Sequence, residues 1–151
     1  MPRGTHSIDI NASSATVFEL IHSYDIRLEW DSMLCEAKLL DGAVKAAKGV
    51  RSRCVGNWKC LWLAIEADYL SCEPGKVAAV EMVNSPLFFD KFAATIRHDD
   101  LEDGRSKVTY IYHFAAKPRW LAFLFEPIMR FCLNREVTQR LVALKAFAEN
   151  R

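Results

Sequence analysis

The usual marks of a catalytic sequence are missing from this chain. No GxSxG, HExxH, P-loop or GxGxxG pattern occurs, which excludes a nucleophile elbow, a helical zinc pair and a Gly-rich phosphate cradle of the familiar kinds. An excess of one charge is missing too: Lys and Arg number 20 against 19 Asp and Glu, a net charge of +1. That balance supplies no general field for nucleic acid or anionic lipid, although it does not exclude a local patch. The five cysteines, Cys35, Cys54, Cys60, Cys72 and Cys132, are an odd number with no CxxC pair. They read as reduced, mostly buried thiols of a cytoplasmic protein, without a metal or other cofactor. MPRGTHSIDI has no apolar core of the signal-peptide type. The greasiest stretch, WLAFLFEPIMRFCL from Trp120 to Leu133, covers fourteen residues, short of the ~20 that cross a bilayer. Glu126 and Pro127 interrupt its middle, so a transmembrane reading fails. Repeats, low-complexity tracts and linkers are also absent, and one domain over residues 1–151 is expected.

What is present is an ordinary globular composition, 51% hydrophobic and 26% charged, on a chain long enough to bury a core. Thr5 to Ile10 alternate as a half-buried strand does. Asn11-Ala-Ser-Ser14 then offers N-caps to a helix through Val17, Leu20 and Ile21, and Asp25 to Trp30 adds a second short helical piece. Six alternating runs follow: MLCEAKLL, KGVRSRCVG, KCLWLAIEADYL, KVAAVEMV, FAATIRHD and KVTYIYHF. Turn residues such as Asp41-Gly42, Glu73-Pro74-Gly75 and the acidic stretch Asp99 to Gly104 separate them. With the first strand this predicts seven in an antiparallel meander. Pro118 is expected in the first turn of a closing helix that runs to about Glu149. A sheet of that size must bury the helix stripe against its concave side, so the fold class is α+β.

The stretches SIDINASSATVFELI, DIRLEWDSM, KGVRSR, DGRSKVTYIYHF and LNREVTQRLVALKAFAEN are spread over nearly the whole chain. In this order and spacing they resemble the SRPBCC superfamily (START-like, helix-grip), most closely its polyketide cyclase/dehydrase-like branch. Each is a structural signature and none is a catalytic motif. The resemblance implies a seven-stranded antiparallel sheet curved around a long C-terminal helix, birch pollen allergen-like, with two short helices after strand 1. It also implies a hydrophobic cavity between sheet and helix for lipids, sterols, polyketides or other apolar small molecules. The family often has proline where this chain has Ser13 or Ser14, a departure that leaves capping intact. Fold likeness alone does not choose a function.

Alternation assigns faces. Val108, Tyr110, Tyr112 and Phe114 share one side of their strand, with Thr109, Ile111 and His113 on the other; Phe92, Ala94 and Ile96 oppose Thr95 and Arg97. Leu61, Leu63, Ile65, Ala67 and Tyr69 avoid the charges of Glu66 and Asp68, and Ala78, Val80 and Met82 leave Glu81 in water. On the helix, Leu121, Phe125, Ile128 and Cys132 share an inward stripe, with Leu124, Met129 and Leu133 beside them. The expected ligand-binding residues are Tyr69, Met82, Phe92, Tyr110, Tyr112, Phe125 and Met129, most of which would be core in any such domain. Two inward tyrosines point to a polar spot in an apolar hollow, or to hydroxyls bonded to backbone or water.

No residue is assigned to catalysis. His6, His22, His98 and His113 scatter one per element. His98, beside Asp99 and Asp100, reads as part of a hairpin loop. His113 reaches the interior as a general base only if a β-bulge reverses its face. Arg51, Arg53, Glu66, Asp68 and Glu81 read as the solvated outer face, Trp30 as an anchor for the short helices, and Trp58 as a rim residue of the cavity mouth. Pro127 is expected to bend the last helix and make the stretch before it a gate. Three readings stay open. The first is a carrier or sensor that binds an apolar small molecule such as a lipid or polyketide. The second is a cyclase/dehydratase-type enzyme using Tyr110, Tyr112 or His113 for proton transfer. The third is a partner-binding protein, monomer or homodimer, using the apolar helix stripe 120–133. Nucleic acid is not an expected partner.

Overall fold

The alternating runs become strands β1 (Arg3–Ile10), β2 (Leu34–Leu39), β3 (Arg51–Gly56), β4 (Ala64–Glu73), β5 (Val77–Met82), β6 (Phe89–Asp100) and β7 (Ser106–Ala116). Two short helices, α1 (Ser14–His22) and α2 (Arg27–Trp30), follow β1, and α3 (Ala122–Glu149) closes the chain. This computed structural model describes residues 2–58 and 62–150, so Cys60 and the expected inward Leu61 lie outside the described residues. The strands form one antiparallel sheet of seven in the order β1-β7-β6-β5-β4-β3-β2. β1 lies beside β7 along its whole length, from Arg3 opposite His113 to Ile10 opposite Ser106. The sheet curls around α3, which packs on β1 and β7.

Local chemistry explains the short helices. Ser13 Oγ accepts the Thr16 N–H at 3.2 Å, satisfying a donor that the first turn of α1 would otherwise leave open. Val17, Leu20 and Ile21 bury on its inner face, each worth about 1.5–3 kcal/mol of apolar transfer. Buried Trp30 donates Nε1–H to the Leu20 carbonyl at 3.0 Å and ties α2 to α1. On the outer face Arg51 holds Asp68 with bonds of 2.7 and 3.2 Å, and Arg53 holds Glu66 at 2.7 Å. These are the cross-strand partners set by the β3–β4 register.

Four expectations need correction. Pro118 stands ahead of the helix: its backbone is extended, it follows a cis peptide bond, and it leads into a 3-10 turn at Arg119–Leu121 before α3 begins. His98 belongs to β6, which runs two residues further before turning, and its ring is buried against Phe18. Cys35 and Cys132 are exposed. Leu124, Ile128 and Cys132 face solvent; the inward stripe of α3 is Phe125, Met129, Leu133, Val137, Leu141 and Leu144. A segment apolar nearly all round carries no phase, so only its contacts fix which side turns in. The helix itself runs unbroken through Pro127, whose ring has no N–H for the carbonyl one turn back. Among the described residues no helix is long and apolar enough to cross a membrane.

Candidate functional site

Between the concave face and α3 lies an interior cavity of about 140 Å³. Leu63, Ile65, Val80, Phe92, Ile96 and Leu133 make its apolar wall, while Tyr24, Tyr69, Tyr110, Arg27 and Arg140 stand at a polar end. Outside it, the first half of α3 and the connections β3–β4 and β5–β6 frame a groove of about 540 Å³. Leu63, Phe89, Leu133 and Glu136 line both hollows, so the groove is the mouth of the cavity. A cavity of ~150 Å³ takes a benzene ring. The inner hollow is therefore one ring wide, and the groove has the size of an ordinary small-molecule site.

The polar end is built around Asp31, whose carboxylate is wholly buried. Its Oδ2 accepts Arg27 Nε at 3.0 Å and Arg140 Nε at 2.8 Å, and its Oδ1 accepts the Met33 N–H at 3.1 Å. Arg140 Nη2 reaches Glu136 Oε1 at 2.8 Å, and Arg27 Nη1 donates to the Ile21 carbonyl at 3.1 Å. Burial alone would raise the Asp31 carboxyl, but the Arg140 and Arg27 guanidiniums and the Met33 N–H hold it below the usual carboxylate range. Two guanidiniums thus face two carboxylates, and the cluster carries no net charge.

Beside it runs a second chain of bonds. His22 Nδ1 lies 2.8 Å from the Tyr69 hydroxyl, which lies 2.7 Å from that of Tyr24. Burial pushes His22 down to about 3, with Arg27 and His98 adding to the shift. It also raises the Tyr24, Tyr69 and Tyr110 hydroxyls and the Cys54 thiol. Each of these groups is neutral at pH 7. The Tyr110 hydroxyl makes no hydrogen bond to the described residues, and Arg140 and Glu136 are charged groups in its surroundings. Among the described residues no three His, Cys, Asp or Glu side chains are grouped to hold a metal.

The structure brings together some of the expected ligand-binding residues and separates others. Tyr69, Phe92 and Tyr110 line the cavity, and Met129 lines the groove with Trp58. Met82 is packed in the core. Phe125 lies beside the groove against Phe88. Tyr112 shares a strand face with Tyr110 but turns toward β1, because Gly4 opposite it has no side chain. A Cβ on Gly4 would fall 2.3 Å from the Tyr112 ring. There the Tyr112 hydroxyl donates to Asn134 Oδ1, which His6 Nε2 also meets at 2.9 Å. The register shift between β6 and β7 falls at Phe89/Lys91, on β6, so the parity of β7 is kept and His113 stays on the outer face. The residues that sequence reasoning missed are His22, Tyr24, Arg27, Asp31, Glu136 and Arg140. Their only signals are two i,i+4 charge pairs, which read as surface pairs until Arg140 meets Asp31 across 109 positions.

The family model described as polyketide cyclase/dehydrase and lipid transport matches residues 1–149. No curated protein matches the sequence. Among solved structures the fold is similar to that of a START superfamily protein from Mycobacterium smegmatis, at 10% identity over 98% of this chain and 97% of that one, TM-score 0.80. It is similar also to the Zhui aromatase/cyclase of Streptomyces sp. R1128, at 13% identity over 99% and 94%, TM-score 0.81. The di-domain ARO/CYC StfQ of the steffimycin biosynthetic pathway is matched over 51% of its length by 99% of this chain, at 13% identity and TM-score 0.81. At these identities the likeness is one of fold.

Proposed function

This chain belongs to the polyketide cyclase/dehydrase and lipid transport family, and we propose that it binds an amphiphilic small molecule with an uncharged polar end. The observation that carries this reading is the Tyr110 hydroxyl, without a hydrogen-bond partner among the described residues, in a one-ring cavity whose charges already cancel. A buried anion needs a cation to spare, and here each guanidinium already faces a carboxylate. A carbonyl or hydroxyl oxygen asks only for a donor or acceptor, which Tyr110 has free. The ring-sized polar end enters the cavity, and the apolar remainder lies in the groove beside Met129 and Trp58.

The enzyme reading narrows to the same residue. His113 faces outward and the Tyr112 hydroxyl is taken by Asn134, which leaves Tyr110. Its pKa is raised by burial, which favours hydrogen bonding over proton release at neutral pH. Binding without turnover is therefore the better-supported reading. Calorimetry with 2-naphthol and 2-naphthoate, one frame with and without charge, tests it. Naphthol should bind at least ten times tighter; preference for naphthoate would overturn the uncharged-end reading, and binding of neither would overturn the ligand site itself.

A further inference from the structure

The mouth of the groove is ringed by large apolar side chains that the fold leaves in water. On α3 and the turn before it, Trp120, Phe123, Ile128 and Phe131 are 60–77% exposed. They recur three to five positions apart, with Leu124 and Pro127 between them, on the exposed side of the helix, and Ile128 and Phe131 reach the edge of the groove. Trp58 and Trp62, 65% and 64% exposed, stand in the β3–β4 connection, and Trp58 lines the groove together with Ile128 and Phe131. The second half of α3 shows the contrast: Val137, Leu141, Leu144 and Ala148 are buried under the sheet and α1.

We propose that this rim docks on an anionic lipid surface, with the cavity mouth facing the bilayer. Charge decides between a bilayer and a second copy of the chain. From Lys117 to Arg135 the sequence carries Lys117, Arg119, Arg130 and Arg135 against Glu126, a local +3 in a chain whose total is +1; Asp90, 3.9 Å from Arg119, brings the face to +2. Arg119, Arg130 and Arg135 are exposed, so the aromatic stripe is edged by guanidiniums. A symmetric dimer through this face sets one net-positive surface against another, which opposes association. An anionic leaflet is complementary, each arginine near it contributing about 1 kcal/mol. Trp and Phe suit the headgroup boundary, where an apolar ring enters and the rest stays wet. Because α3 is no membrane span, it lies in the surface plane.

The docking face does not depend on the cavity being filled, so its test is separate from ligand binding. Vesicles of phosphatidylcholine, with and without phosphatidylglycerol, are floated with the protein at low and high salt. The expected result is association with the anionic vesicles alone, weakened by salt, with a blue shift in Trp emission. The double variant Phe123→Ser/Phe131→Ser should weaken association at least tenfold, and Arg130→Gln/Arg135→Gln by about tenfold or more. All four positions are exposed, and unchanged circular dichroism and melting curves would show the variants folded. Absence of association, equal binding to both vesicle types, or variants that bind as well as the parent each overturn the proposal. Light scattering from a dimer that the Phe variants dissolve, with vesicles left unbound, assigns the face to a second copy instead.

Discussion

The rings of Phe88 and Phe125 meet edge to face, 5.5 Å between centroids, and join the β5–β6 connection to α3 at the groove. Phe88 makes this contact from a left-handed backbone, φ 71°, a conformation that costs a bulky residue on the order of 1–3 kcal/mol. The pair therefore holds the groove narrow against local strain. Phe125→Ala removes the contact and keeps the strain; Phe88→Gly removes both. Both variants should speed uptake of the neutral probe N-phenyl-1-naphthylamine in stopped-flow fluorescence. Phe88→Gly should also be the more stable of the two by about 1 kcal/mol in urea unfolding. Uptake at the parent rate in both would show that the groove is not the entrance.

Tyr110 and Tyr112 sit two residues apart on one strand face and should respond in opposite ways. Tyr110→Phe removes a hydroxyl with no partner among the described residues, so stability should hold while 2-naphthol binding weakens by about tenfold, the worth of one buried hydrogen bond. Tyr112→Phe leaves Asn134 short of a donor in the β1–α3 seam. It should cost about 1–2 kcal/mol of stability and leave naphthol affinity unchanged. Gly4→Ala, which drives a methyl into the Tyr112 ring, should be worse still. Calorimetry and urea denaturation on the same samples separate the two roles.

The element plan was legible because each strand alternates and each break carries turn residues. The faces of β4 to β7 followed from parity, and Tyr69, Phe92 and Tyr110 reach the cavity by that rule. What parity cannot show is where a side chain leans. Tyr112 departs from Tyr110 only because position 4 is glycine on another strand. The charge cluster was hidden for a similar reason. Arg27/Asp31 and Glu136/Arg140 are local pairs of a kind common on helix surfaces, and burial comes from packing α2 against α3. On α3 the apolar spacing finds Phe125, Met129 and Leu133 but places Leu124, Ile128 and Cys132 with them, because no polar face sets the phase.

Asp31 should be the most sensitive polar position in the protein. It is the shared acceptor of Arg27 and Arg140, and Asp31→Asn leaves two buried guanidiniums with one carboxylate between them. The expected loss is about 3–5 kcal/mol, the range for breaking a buried ion pair. Replacing all four charges, for example Arg27→Met, Asp31→Leu, Glu136→Leu and Arg140→Met together, should recover much of that loss, since no unpaired charge remains. Urea midpoints test both. A stable Asp31→Asn would show that water reaches the cluster freely.

Acid should weaken the fold before the Asp31 carboxyl titrates. His22 and His98 pack on either side of Phe18, at 4.4 and 5.3 Å between ring centroids. His22 Nε2 and both ring nitrogens of His98 find no hydrogen-bond partner among the described residues. Burial lowers them to about 3 and about 4, from 6.5. Both are depressed, so the unfolded chain takes up protons below pH 6.5 while the folded one does not. Their stability contribution is complete above pH 6.5 and is lost as pH falls toward 4, at up to about 1.4 kcal/mol per pH unit for each ring. Asp31, with its carboxyl held low, adds its own loss only further down. Melting temperature should therefore fall steadily between pH 6.5 and 4.5, and His98→Leu should roughly halve the slope there. A flat profile across that window would mean that both rings are charged, or solvated, in the fold.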